Sequence, residues 1–268
     1  MVNTITLPKI ELKRQVLTMN NYRLMQGDCI KLMQSLPDNS VDLIVTDPPY
    51  GIDYSTYRTH SRKLINDDGT KWFGEVAKEF ARVLKLGSHI YCFTDVEMSP
   101  NFIFKLRENG FKIRNLLAIP RAVKGNGGNR IFQQQFEYCI FATLGEANQG
   151  RNFEKTQILK PSENYLKDKR YKAKEWLYRL PDYWYWTKAS VHNSKNKLHP
   201  TQKNVSCLKD MISLSSKKGE VVLDCFMGSG STGVASLELG RKFIGIELDE
   251  HYFKVAKSQI EKEGQNNG

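Results

Sequence analysis

Glycine spacing in the last quarter of the chain limits the fold more than any other feature. The stretch from Glu220 to Gly233 reads as a buried strand (Val221-Val222-Leu223), a glycine-rich turn and the start of a helix. Gly228 and Gly230 permit a tight turn and close approach of backbone to a ligand, and Ser231 or Thr232 is placed to cap the helix that follows. A second apolar strand, Lys242 to Glu247, ends in an acid about 20 residues past the glycines, the distance at which such an acid receives ribose hydroxyls. Strand, glycine turn, helix and strand with a terminal acid form the nucleotide-binding unit of a mostly parallel α/β sheet. The unit predicts a cofactor that contains a nucleoside.

A second stretch is Thr46-Asp47-Pro48-Pro49-Tyr50-Gly51, which follows the apolar run Val41-Asp42-Leu43-Ile44-Val45. Two successive prolines remove backbone donors and fix φ, so they stop the strand in a rigid turn. The turn presents a carboxylate (Asp47), a fixed carbonyl acceptor (Pro48) and an aromatic ring (Tyr50) at the carboxyl end of a strand, where open α/β sheets place their chemistry. Two acceptors beside a ring suit a planar group with an exocyclic amine, such as a nucleobase. Taken alone, the turn is better read as a strand terminator. The nucleotide-binding unit downstream tips the balance.

Together these motifs resemble the amino-group DNA methyltransferases of the β-type motif order. That family pairs an (Asp/Asn/Ser)-Pro-Pro-(Tyr/Phe/Trp) catalytic tetrapeptide with a later Phe-x-Gly-x-Gly cofactor loop, here Asp47–Tyr50 and Phe226–Gly230. The resemblance runs from about Tyr22 to about Lys262. It implies a Rossmann-like AdoMet-dependent methyltransferase fold, α/β, with one antiparallel strand in a mostly parallel sheet, a circularly permuted motif order and a target-recognition insertion. The implied cofactor is S-adenosyl-L-methionine. Asp47, Pro48, Pro49 and Tyr50 are the implied catalytic residues, and no metal is called for. Carried over by motif, Asp28 faces the adenine of the cofactor, although an aspartate there is as good a helix N-cap. His199, Thr201, Gln202 and Lys203 match a His-Pro-Thr-Gln-Lys motif that holds the methionine end, with Asn204 where the family has proline. Asp47, Asp224, Phe226, Gly228, Ser229, Gly230, Thr232 and Glu247 complete the implied cofactor set.

Four regions follow: an extension (1–21), which adds an edge strand or an arm; the catalytic half (22–150); the target-recognition region (151–197); and the AdoMet-binding half (198–268). The chain of 268 residues carries a formal charge of +11, which favours a polyanionic partner. Residues 151–197 hold twelve Lys and Arg, five Asp and Glu and nine aromatics. Charge that meets phosphate, interleaved with rings that stack on bases, suits a nucleic-acid surface, though some of these rings must pack internally. Candidate DNA contacts are Tyr54, Arg58, Arg62 and Lys63 in the long loop after the catalytic turn; Arg121, Lys124 and Arg130 in a glycine-rich loop; and Lys169, Arg170 and Lys172. Helices are expected over Trp72–Leu86, closed by Gly87, and over Met98–Asn109.

Five scattered cysteines, with no Cys-x-x-Cys pair, suggest neither a zinc site nor a disulfide framework. No apolar run reaches membrane-spanning length and no secretory signal opens the chain, so a cytoplasmic protein is expected. Carbon-5 cytosine methylation uses a cysteine typically preceded by proline, and no cysteine here follows one. Asp at the first catalytic position favours adenine N6 over cytosine N4, where Ser is commoner. A further likeness, to accessory adenine methyltransferases of bacterial restriction–modification systems, implies the target GATC in duplex and single-stranded DNA. It also implies pairing with a cognate restriction endonuclease, while family members often form homodimers. A DNA-binding protein that keeps only the methyltransferase shell is the non-enzymatic alternative.

Overall fold

Strand β3 (Val41–Thr46) sits at the middle of the sheet because both its faces are apolar: Leu43 and Val45 enter one core layer, Val41 and Ile44 the other. A register shift between Val41 and Leu43 puts these two in opposite layers. The computed structural model describes residues 15–49, 71–120, 136–146 and 203–266. In chain order the other elements are β1 (Val16–Thr18), β2 (Tyr22–Gln26), α1 (Cys29–Met33), α2 (Lys71–Val83), β4 (Leu84–Thr94), α3 (Ser99–Glu108), β5 (Phe111–Pro120) and β6 (Phe136–Leu144). They continue as α4 (Val205–Ser215), β7 (Val221–Asp224), α5 (Ser231–Glu238), β8 (Lys242–Glu247) and α6 (Glu250–Asn266).

These eight strands form one sheet in the order β1-β2-β8-β7-β3-β4-β6-β5. The five from β2 to β4 run parallel, and the expected antiparallel strand is β6, between β4 and β5. Val16–Thr18 of the extension adds a short antiparallel edge strand. One face is covered by α1, α2 and α3 through Leu32, Met33, Phe73, Phe80 and Phe102. The other is covered by α4, α5 and α6 through Leu208, Met211, Leu237, Phe253 and Ile260. The helix after β3 therefore lies on one face and the helix after β7 on the other. Adjacent parallel strands whose following helices diverge open a crevice at their carboxyl ends, the ligand position of this architecture.

Two local expectations are corrected. Helix α2 stops at Val83 rather than Leu86, because Leu84 is fully buried and already pairs with Val41 as the first residue of β4. Gly87, at φ +81°, takes the turn within that strand instead of ending the helix. Nor do Ser231 and Thr232 cap α5: the N-cap is Gly230, in the left-handed region, and makes no side-chain cap bond. Asn204, by contrast, caps α4, its side chain accepting from the Ser206 N–H at 2.8 Å, so the proline of the family motif is replaced by a residue that serves the same helix start. No helix among the described residues is long and apolar enough to cross a membrane, and all five cysteines are free thiols.

Candidate active site

Catalytic and cofactor motifs meet because their strands are neighbours. Leu43 and Ile44 of β3 pair with Val222 and Leu223 of β7, so Asp47-Pro48-Pro49 and the glycine turn leave the same edge of the sheet side by side. Pro48 is buried and Pro49 exposed. A buried bridge ties the two motifs: the Thr46 hydroxyl donates to Asp224 Oδ1 at 2.8 Å, and the Phe226 N–H donates to the same oxygen at 3.1 Å. The Thr232 hydroxyl, from the first turn of α5, also donates to this carboxylate. Burial pushes the Asp224 carboxyl up to about 7, against the pull of these three bonds; Asp47 nearby pushes the same way. Asp224, 3% exposed, thus braces the Asp47–Pro49 turn against the glycine turn.

The glycine turn is held from behind by α6. A Cβ on Gly230 would lie 3.0 Å from Ala256 Cβ and 3.1 Å from Ile260 Cδ1, so only glycine lets this helix lie so close. Gln259 of α6 donates to the Ser229 carbonyl at 2.6 Å. Phe226 meets Trp72 of α2 edge-on, ring centres 6.0 Å apart. Glu247, at the end of β8, accepts from the Gly228 N–H through Oε2 and from the Asp249 N–H through Oε1, each at 2.9 Å. Burial raises its carboxyl above the usual range. The Gly27 N–H donates to the Glu247 carbonyl at 2.9 Å, which places Asp28 beside it. Asp28 caps α1, its Oδ1 accepting from the Lys31 N–H at 3.0 Å. Two carboxylates flanking a glycine turn of this tightness fit the hydroxyls, amine and close backbone approach that an adenosyl group demands.

Lys203 reaches the Asp47 turn. Its Nζ pairs with Asp47 Oδ2 at 2.9 Å and with Glu137 Oε1 of β6 at 2.7 Å, and sits 4.4 Å from the centre of the Phe93 ring of β4. Burial disfavours its charged form, but the two carboxylates outweigh this and hold the ammonium above an ordinary lysine. Glu137 and Phe93 were not marked by any motif. A charged residue near the start of an otherwise apolar strand is the one sequence signal for Glu137. Tyr50, His199, Thr201 and Gln202 lie outside the described residues. So do the candidate DNA contacts Tyr54, Arg58, Arg62, Lys63, Arg121, Lys124, Arg130, Lys169, Arg170 and Lys172, together with the whole of 151–197.

The N6/N4 DNA methylase family model matches residues 41–258. The putative methylase YubD of Escherichia coli K12 is 30% identical over 238 residues, 89% of each chain. The type II methyltransferase M2.DpnII of Streptococcus pneumoniae is 26% identical over 261 residues, 92% of each. Among solved structures, the complex of M1.HpyAVI with S-adenosyl-L-methionine (SAM) superposes with a TM-score of 0.63 at 25% identity, covering 89% of this chain and 98% of that one. Motif order, the paired strands β3 and β7 and these likenesses agree: the chain belongs to the N6/N4 DNA methylase family, S-adenosyl-L-methionine-dependent amino-methyltransferases of the restriction–modification type.

Proposed function

We propose that the enzyme is a site-specific adenine-N6 methyltransferase acting on GATC, in duplex and single-stranded DNA, and protecting that DNA from a cognate restriction endonuclease. The observation that carries the amine-transfer chemistry is the Asp47 carboxylate at the carboxyl end of β3, tethered by Lys203 and next to the cofactor loop. Aspartate at this position supports adenine over cytosine. The GATC target rests on the likeness to accessory adenine methyltransferases, and so does action on single strands.

The amino nitrogen of a base is a poor nucleophile because its lone pair is conjugated into the ring. In the proposed mechanism the Asp47 carboxylate and the Pro48 carbonyl accept hydrogen bonds from its two N–H groups and favour a pyramidal nitrogen whose lone pair points out of the ring plane. S-adenosyl-L-methionine supplies a methyl group already activated on a sulfonium. The protein's task is therefore to position and to exclude water. Glu247 and Asp28 would hold the adenosyl part beside Gly228–Gly230, while His199, Thr201 and Gln202 are assigned to the methionine end. Tyr50 would stack on the target base, which must leave the helix to reach Asp47. After transfer the nitrogen gives up one proton, for which Asp47 is the nearest assigned base. A homodimer is the proposed assembly.

Restriction protection tests the target directly. DNA treated with the enzyme should resist a GATC-cleaving endonuclease that is blocked by adenine methylation and stay sensitive to one blocked only by cytosine methylation. Protection against the second alone would move the assignment to cytosine N4. DNA bound but never modified would favour a non-catalytic binding protein.

A further inference from the structure

We propose that Glu137, on strand β6 outside every motif, is a positioning residue for methyl transfer: it holds the Lys203 ammonium so that this ammonium orients the Asp47 carboxylate. The argument starts from charge. Two carboxylates and one ammonium converge, and Lys203 is only 11% exposed, Glu137 15% and Asp47 19%. A lysine pairs as a point charge on a flexible stem, so a single carboxylate partner would leave its direction loosely set. Here the head group is fixed from three sides. Asp47 comes from the end of β3, Glu137 from β6 and the Phe93 ring from β4, which lies between those two strands.

Fixing the ammonium fixes its partner. The pair engages Oδ2 of Asp47 at 2.9 Å, which restricts the rotation of the carboxylate. Glu137 is suited to this task by its strand. β6 is paired to β4 as far as Tyr138 and to β5 along its whole length, so Glu137 follows directly on a doubly paired stretch of strand. Glu137 itself pairs with Ile119 of β5, one step from the end of both strands at the crevice edge. Among the described residues, the other titratable groups facing Lys203 are the Cys139 and Cys207 thiols, which burial keeps neutral. Among the described residues, the charges that set the ammonium are therefore those of Asp47 and Glu137.

The inference rests on Asp47 as the proton acceptor of the amine but not on which base carries that amine. Its test is a set of three variants, Glu137→Gln, Glu137→Asp and Asp47→Asn. Each is assayed for methyl incorporation into DNA across pH and for SAM binding by calorimetry, with thermal unfolding as the control for folding. Glu137→Gln should lower kcat by about tenfold or more with SAM affinity and unfolding temperature little changed, the signature of an interaction used in the transition state. Glu137→Asp, which keeps the charge, should restore kcat toward the wild-type value. An unchanged kcat in Glu137→Gln, with Asp47→Asn inactive, overturns the role of Glu137. A fall in kcat with no rescue by aspartate also overturns it, as a packing effect alone. Full activity in Asp47→Asn instead overturns the acceptor reading beneath it.

Discussion

Replacing Gly230 by alanine adds one methyl group where two separate costs meet. Gly230 has φ +87°, a conformation that costs an L-residue about 1–2 kcal/mol. The added carbon would also stand 3.1 Å from the backbone Cα of Ala256, on α6, which cannot rotate away as a side-chain tip can. Overfilling a packed site of this kind costs about 1–3 kcal/mol more. Gly219 separates the two. Its φ is +81°, but nothing lies within 4 Å of its added Cβ, so Gly219→Ala carries the conformational cost alone. The expectation is a loss of about 1–2 kcal/mol for Gly219→Ala and about 2–5 kcal/mol for Gly230→Ala. In a chain of this size each kcal/mol lowers the unfolding midpoint by about 2–4 °C. Both variants should be melted with and without SAM. Gly230→Ala should also lose most of the stabilisation that bound cofactor gives, since its turn carries the cofactor loop, while Gly219→Ala should keep it. Equal midpoints for the two variants, or undiminished stabilisation by SAM in Gly230→Ala, would refute the close approach of α6 to the turn.

Asp224 has a raised folded-state pKa, so its contribution to stability is greatest below the unfolded value, near 3.8, and is lost as pH rises through about 7. Wild type should therefore gain stability from this group as pH falls from 8 toward 5. Asp224→Asn should flatten that slope in chemical denaturation curves, and an unchanged slope would contradict the assignment. Lys203→Ala leaves Asp47 and Glu137 facing each other without their cation, and should cost about 3–5 kcal/mol of stability, read by urea titration. Asn204→Ala removes the cap of α4 for about 1 kcal/mol, with Ser206→Ala, whose backbone N–H still donates to the cap, near neutral.

What the sequence revealed, and what it did not, follows from the range of the interactions. Strands β3, β7 and β8 were legible because each is a short apolar run closed by a turn signal. Motif order then placed both loops at one edge of the sheet. The end of α2 was misread because Leu84 continues the helical spacing of Phe80 and Val83. Only its pairing with Val41, over forty positions earlier in the chain, assigns it to β4. The cap of α5 was misread because a serine and a threonine are good caps locally, whereas the approach of α6 requires the left-handed glycine one residue earlier. Lys203 was legible as a motif residue but not in its partners. Glu137 lies 66 positions away on a strand with no motif, and no local pattern joins the two. Asp224 is likewise legible as a motif residue, but its bond to Thr46, 178 positions away, is not.

The most direct test of the central claim is the identity of the methylated nucleoside. Oligonucleotides containing GATC would be incubated with SAM and either wild-type enzyme or Asp47→Ala, digested, and resolved by mass spectrometry. The account predicts N6-methyl-2′-deoxyadenosine from the wild type alone. Methylated nucleosides at equal yield from Asp47→Ala, or none from the wild type on any DNA, would contradict it.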